Sequence, residues 1–195
     1  MARWVIGIDE VGRGALAGPV VVAAALVKAH WKGTTKDSKR MTALRREAWC
    51  AEFSGAPDVH YAVARVYQRS IERVNIARAA NLAASRAYEK LMKKVPAVAS
   101  GAKVLLDGGL YIKNRAWQTA HVRKAETRIR ADQTVPAVMA ASIFAKVHRD
   151  RFMVKLAKRH PGYGFDIHKG YGTAAHRAAI ARFGPATVHR LTFLS

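Results

Sequence analysis

The chain carries 13 acidic residues against 34 Lys and Arg, so where its carboxylates fall is informative. Glu47, Glu72 and Glu89 sit among Arg and Lys in helical patterns and read as solvated charge balance. Asp9 and Glu10 differ. They adjoin each other directly after an apolar run, so successive side chains of a strand end would point one into the sheet and one across it. Asp107 follows Val104, Leu105 and Leu106 in the same way, and Asp132 lies just ahead of Pro136, beside the positive end of an expected helix. Carboxylates at the ends of separate strands bring negative charge to one point, where they repel and take up protons unless a cation neutralises them. Hard divalent ions with oxygen ligands, Mg²⁺ or Mn²⁺, fit such a site. In so basic a chain the matching chemistry is two-metal phosphodiester hydrolysis, with ions roughly 3.5–4 Å apart holding the attacking water and the leaving oxygen. For any single acid an ordinary strand-end turn is the better account, since Asp-Gly is common there. Three such sites in a chain poor in acid favour the metal reading.

The net charge of +21 and a pI of about 10.9 point to a polyanionic partner, either nucleic acid or an anionic membrane. No apolar run approaches the roughly 18 residues of a membrane span, the longest being Val20–Val27. No basic amphipathic helix with bulky apolar residues supports a membrane-surface role. The N-terminus meets acid by Asp9 and does not read as a signal peptide. The single cysteine, Cys50, can form no internal disulfide and reads as a small apolar helix residue. With 50% hydrophobic residues the 195-residue chain can bury a sizeable core. These features predict one cytoplasmic, monomeric domain without a membrane partner.

The elements that must position the acids are legible in outline. Trp4–Asp9 and Pro19–Val27 read as buried strands, the second rich in β-branched Val, and Val59–Tyr67 alternates like a third. Lys103–Leu106 gives a fourth strand, with a shorter one around His121–Ala125. Thr42 is an N-cap candidate. Asn75 would cap a long helix with core side Ile76, Ala80, Ala83, Ala87 and Leu91. Pro136 suits the first position of a helix reaching about Arg159. Its expected apolar stripe is Val138, Ala141, Ala145, His148, Phe152 and Leu156, with the other faces polar and basic. Gly162–Gly172 is a glycine- and aromatic-rich loop, and Thr173–Phe183 a last short helix. Strands followed by alternating helix and strand indicate one mixed α/β sheet.

Five ordered blocks then carry a family resemblance. Gly7-Ile8-Asp9-Glu10-Val11-Gly12-Arg13-Gly14, with Ala17-Gly18-Pro19-Val20 behind it, resembles the opening motif of ribonuclease HII, the bacterial type 2 ribonuclease H. Asp37-Ser38-Lys39-Arg40-Met41-Thr42, Leu106-Asp107-Gly108, and Asp132 followed by Ala140–Val147 and Arg149-Asp150 resemble its middle blocks. His160–Phe165 and His168–Thr173 resemble its closing motif, so the likeness runs from residue 7 to about 190. Gly109 departs from the family, standing where an Asn often follows the Asp-Gly pair.

The resemblance implies a ribonuclease H-like fold: a mixed five-stranded sheet flanked by helices, one catalytic domain over 1–195 with about 160–195 as a C-terminal, substrate-contacting extension. It implies cleavage of RNA in RNA–DNA hybrids and 5′ of a single ribonucleotide embedded in duplex DNA, leaving a 3′-hydroxyl and a 5′-phosphate. Asp9, Glu10, Asp107 and Asp132 would hold two divalent ions, Mn²⁺ or Mg²⁺, with Asp9 shared between them. By the same resemblance Gly12-Arg13-Gly14 reads the ribose 2′-hydroxyl, and Tyr171 sets its ring against the sugar at the RNA–DNA junction. Arg13, Lys39, Ser142 and Lys146 would meet phosphates. Each has a plainer account: a tight turn, a buried aromatic, a solvated basic surface. Ser142 and Lys146 share a helix face at i, i+4, which favours a common ligand. His160 and His168 read as structural or phosphate-contacting rather than catalytic, and the four Trp as core packing. A non-enzymatic nucleic-acid-binding protein would explain the charge but not the strand-end acids. Ribonuclease HIII, the sister enzyme, is disfavoured because it adds an N-terminal domain and usually carries Gly-Thr-Gly where Arg13 stands.

Overall fold

The computed structural model describes residues 4–33, 41–99, 101–112 and 125–194. Lys39, with the rest of 34–40, lies outside them, as do Trp117 and residues 121–124.

Strands β1 (Trp4–Val11), β2 (Val20–Lys28), β3 (Val59–Val66), β4 (Lys103–Asp107) and β5 (Ala125–Arg128) form one sheet in the order β3-β2-β1-β4-β5. The β1–β2 and β2–β3 pairs are antiparallel, while β1–β4 and β4–β5 are parallel. Helix α1 spans Ala43–Gly55, α2 Gln68–Val74, α3 Ile76–Lys94 and α4 Pro96–Ala99. Helix α5 spans Ala131–Thr134, α6 Pro136–Arg159, α7 Phe165–His168 and α8 Ala174–Phe183.

The continuous apolar character of β2 follows from its place between two helical layers, because a strand buried on both faces has no polar alternation. Val20, Val22, Ala24 and Leu26 pack toward α3 with Ile6 and Ile8 of β1. Ala23, Ala25 and Val27 pack toward α6 and α1, against Ala137, Ala140, Phe144, Cys50 and Phe53. Helix α6 crosses β1 so closely that a Cβ on Gly7 would stand 2.1 Å from the Ala137 carbonyl carbon, so glycine is required there.

Thr42 and Asn75 cap their helices as expected, accepting from the Arg45 and Arg78 amides. Pro136 starts α6 and Arg159 ends it. The single apolar stripe expected for α6 is corrected: every residue from Ala137 to Ala145 is buried. The sheet, α1 and α5 enclose that half of the helix from several sides, so its small residues are core all round. The fifth strand runs Ala125–Arg128, sharing only Ala125 with the segment expected for it. Helices α2, α4 and α5, of four to seven residues, are too short to show a periodicity. Trp31 and Trp49 pack on Phe53 at ring separations of 4.8 and 5.0 Å, and Trp4 packs against the core, which is the role expected of them. Among the described residues no helix is long and apolar enough to cross a membrane.

Candidate active site

Parallel pairing of β1 with β4 is what brings the acids together. Ile8 stands opposite Leu106, so the next residues of the two strands, Asp9 and Asp107, emerge at the same sheet edge. Asp9 is 4% exposed. Its carboxylate accepts from the Glu10 amide at 2.7 Å and from the Ser142 side chain. Burial, then repulsion from Glu10 and Asp107, nonetheless hold its pKa well above the usual carboxylate range. Burial also raises Glu10, opposed by Arg13, whose guanidinium lies 3.3 Å from Oε1. The other oxygen, Oε2, is buried without a hydrogen-bond partner among the described residues. Asp107 Oδ1 accepts from the Ala131 amide at 2.8 Å, tying the end of β4 to the start of α5. Asp132 is buried one residue farther on, but is not among the charges that perturb Asp9 and Glu10. Three of the four expected acids are therefore electrostatically coupled, and the fourth adjoins the tether of one of them.

Beside the acids opens a cleft of about 530 Å³, lined by Glu10, Val11, Met41, Arg46, Ser142, Lys146 and Tyr171. Four residues singled out in the sequence thus meet in one concavity. Ser142 and Lys146 have separate partners: Ser142 serves Asp9, while Lys146 Nζ lies 2.8 Å from Asp150. Arg46, not singled out by sequence, also borders an adjacent groove of about 470 Å³ with Arg151, Lys155, Lys158 and Lys169.

The Gly12–Gly14 turn is anchored from behind. Gly12 has φ +85°, and a Cβ there would lie 2.1 Å from Arg149 Nε, so its glycine answers to the protein interior. A Cβ at Gly14 would meet nothing within 4 Å. Two fully buried arginines hold this region. Arg149 donates to the carbonyls of Pro19 (3.1 Å), Lys169 (2.8 Å) and Ala17 (3.2 Å), and lies 5.2 Å from the Tyr171 ring centre. Arg190 donates to Gly12, Arg13 and Gly18 carbonyls at 2.8–3.0 Å. Sequence reasoning missed both. Arg149 had a signal, continuing Ala141 and Ala145 at steps of four toward Met153 on the buried side of α6; Arg190 had none.

Tyr171 bridges to Ala15, which brings the closing loop against the opening turn. Its carbonyl accepts from His176, whose ring stacks on His168 at 4.3 Å and meets His189 at 3.1 Å. His168 also bonds the Tyr163 carbonyl and receives the Gly170 amide, while His160 packs edge-on against Phe165. Both loop histidines thus make packing or backbone contacts, the first of the two roles expected of them.

The donor set, all carboxylate oxygen, with one orphaned buried oxygen and raised proton affinities at Asp9 and Glu10, fits a hard divalent cation. Among the described residues no three acidic, His or Cys side chains stand in a ready metal-holding group; unneutralised carboxylates repel, which opposes such closure.

Residues 6–195 match the family model of ribonuclease HII. The ribonuclease HII of Nitratidesulfovibrio vulgaris is 44% identical over 193 residues, spanning 96% of this chain and 84% of that protein. That of Coxiella burnetii is 41% identical, spanning 97% and 87%. Among solved structures, ribonuclease HII of Archaeoglobus fulgidus in a complex with PCNA aligns with a TM-score of 0.72 at 24% identity, over 96% of this chain and 92% of that one. Bst-RNase HIII in complex with Mn²⁺ aligns at 0.73 and 23%, over 99% of this chain and 65% of that one. These structures share the ribonuclease H-like α/β fold.

Proposed function

The chain belongs to the ribonuclease HII family, which makes it a divalent-metal-dependent hydrolase of RNA in RNA–DNA hybrids, and on that premise we propose that it also cuts 5′ of a single ribonucleotide embedded in duplex DNA, leaving 3′-hydroxyl and 5′-phosphate ends. The observation that carries this reading is the meeting of Asp9, Glu10 and Asp107 at one sheet edge beside a cleft walled by Ser142, Lys146 and Tyr171.

In this reading Asp9, Glu10, Asp107 and Asp132 hold two ions, Mn²⁺ or Mg²⁺, and the Mn²⁺ complex of a fold relative supports the first. Bound ions supply charge neutralisation and an activated water. The chain's own residues supply orientation. Ser142 and the Glu10 amide fix the Asp9 carboxylate, the Ala131 amide fixes Asp107, and Arg13 offsets Glu10. Hydrolysis at a phosphodiester cannot itself tell RNA from DNA, so the choice falls to neighbours. Gly12, Arg13 and Gly14 face the 2′-hydroxyl, and Tyr171, set over Arg149, packs on the junction sugar. Lys146 and Arg46 meet phosphates, and Lys39, outside the described residues, joins them. Residues from about 160 to 195 act as a substrate-contacting extension of a monomeric, cytoplasmic enzyme.

Strand mapping on a duplex with one ribonucleotide, with and without Mn²⁺ or Mg²⁺, tests this. The expected result is a single metal-dependent nick 5′ of the ribonucleotide and none in all-DNA duplex. Binding without metal-dependent cutting would leave a non-enzymatic nucleic-acid-binding protein, and cutting of plain DNA would remove the specificity.

A further inference from the structure

Arg190 is the least expected charge in the molecule: fully buried, 172 to 178 residues away in sequence from its partners, and with no ion pair to a carboxylate among the described residues. Its guanidinium NH2 group donates to the Gly12 carbonyl at 2.8 Å and its NH1 group to the Arg13 carbonyl at 2.9 Å. Two further bonds go to Gly18, and the Arg190 amide donates to Leu16. Burial and the neighbouring Arg149 lower its pKa to about 9, which leaves it charged at neutral pH.

Two successive carbonyls drawn inward have a consequence for the other side of the turn. No peptide bond described is cis. In a planar trans peptide the C=O and the N–H of the next residue point in opposite directions. The Gly12 carbonyl and the Arg13 amide share one such plane, and the Arg13 carbonyl and the Gly14 amide share the next. Holding both carbonyls on Arg190 therefore turns both amides away from it. Among the described residues neither amide has a hydrogen-bond acceptor, and Gly14 is exposed with open space around it. The same turn carries Arg13, whose side chain reaches Glu10 of the acid cluster. An unpaired pair of N–H donors beside the acids is a receptor for a substrate oxygen.

We propose that Arg190 is a positioning residue that aims the Arg13 and Gly14 amides at an oxygen of the bound ribonucleotide. The inference rests on the ribonuclease reading above and deepens it: the occupant is a sugar hydroxyl or a phosphate oxygen, both acceptors for paired amides. Arg190 acts only through the backbone it clamps. A lysine there keeps the charge but not the fork that serves three carbonyls at once.

The test compares the parent with Arg190→Lys in thermal unfolding, in kcat and KM with Mn²⁺, and in metal-free binding of three duplexes: one ribonucleotide, its 2′-O-methyl analogue, and all DNA. A folded Arg190→Lys should lose at least tenfold in kcat/KM on the ribonucleotide duplex at temperatures well below its midpoint. A hydroxyl occupant makes that loss accompany a fall of the ribo-to-deoxy binding ratio toward one. A phosphate occupant makes all three duplexes weaken alike. Unchanged kcat/KM with unchanged binding of all three overturns the proposal while leaving the ribonuclease reading intact, since that reading stands or falls on cutting by the parent. Amide hydrogen exchange of the parent covers the case where Arg190→Lys does not fold. The Arg13 and Gly14 amides should exchange fast in the free protein and become protected on metal-free binding of the ribonucleotide duplex; absence of that protection overturns the proposal as well.

Discussion

The acid edge and the C-terminal packing around Arg190 sit on opposite sides of the same turn and solve opposite problems. At the acid edge, Asp9 and Glu10 are held with raised proton affinities, and Glu10 Oε2 is buried with no partner among the described residues. The region is unfavourable by itself and is imposed by the strands beneath it. Behind the turn, every nitrogen of the Arg149 and Arg190 guanidinium groups has a carbonyl acceptor, and His176 and His189 are paired with each other and with backbone oxygens. One region stores electrostatic strain that a cation would relieve, and the other is nearly saturated. A rigid, satisfied backing is what lets a strained front keep its shape.

The largest effect expected follows from that contrast. Asp9→Asn or Asp107→Asn should abolish turnover while leaving folding and duplex binding largely intact, because each removes charge without volume. Near-normal cleavage by both variants would sink the site assignment. In metal-free buffer Asp9→Asn should also melt higher than the parent, since it removes a buried, repelled carboxylate; about 1 kcal/mol corresponds to roughly 2–4 °C for a chain of this size. A lower midpoint would show that the acid edge is not strained.

Tyr171→Ala probes the seam between the two regions. The ring lines the cleft and lies over Arg149, while the backbone pairs with Ala15 and His176 independently of it. Truncation should therefore cut the single-turnover rate on one embedded ribonucleotide much more than it weakens duplex binding; equal rates would confine Tyr171 to packing. Binding itself should fall steeply with salt, by about 0.9 in log affinity per phosphate neutralised on B-form DNA. Replacing Lys155 and Lys158 of the groove that Arg46 borders should flatten that slope. A slope the same as the parent's would place the phosphates elsewhere.

What the sequence revealed divides along the same line. The acid edge was legible because apolar runs that end in Asp mark where strand pairing stops: β4 does end at Asp107, whereas β1 runs on past Asp9 to Val11 against β2 and only its pairing with β4 stops at Ile8. Its backing was not. Arg190 pairs with residues near the opposite end of the chain and with their backbone only, so no side-chain pattern records the partnership. Arg149 lay on the buried spacing of α6, but an arginine in an apolar stripe reads as surface until the carbonyls that satisfy it are known. The all-round burial of the first half of α6 was hidden because alanine suits an exposed and an enclosed helix alike.

The smallest effect concerns pH, and there the two regions should pull in opposite directions. Burial lowers His176 from its usual 6.5 to about 4, with His168, His189 and Arg177 adding repulsion and the Tyr171 carbonyl opposing it. In the neutral ring His176 donates from Nδ1 to that carbonyl, which leaves its Nε2 bare 3.1 Å from His189 Nε2. The unfolded chain takes up a proton near pH 6.5 while the folded chain resists until about pH 4. Stability from this group is therefore complete above that window and lost as pH falls through it. Asp9 runs the other way: its raised pKa means the folded state binds the proton more tightly, so its contribution is fully present below the unfolded pKa and is lost as pH rises toward the folded value. Unfolding free energies in metal-free urea titrations at pH 7, 5.5 and 4.5 separate the two. His176→Gln, whose amide can still donate to the Tyr171 carbonyl, should lose less stability on acidification than the parent. Asp9→Asn should lose more, since it lacks the compensating carboxyl. Parallel curves for all three proteins would mean that neither region titrates as its burial demands.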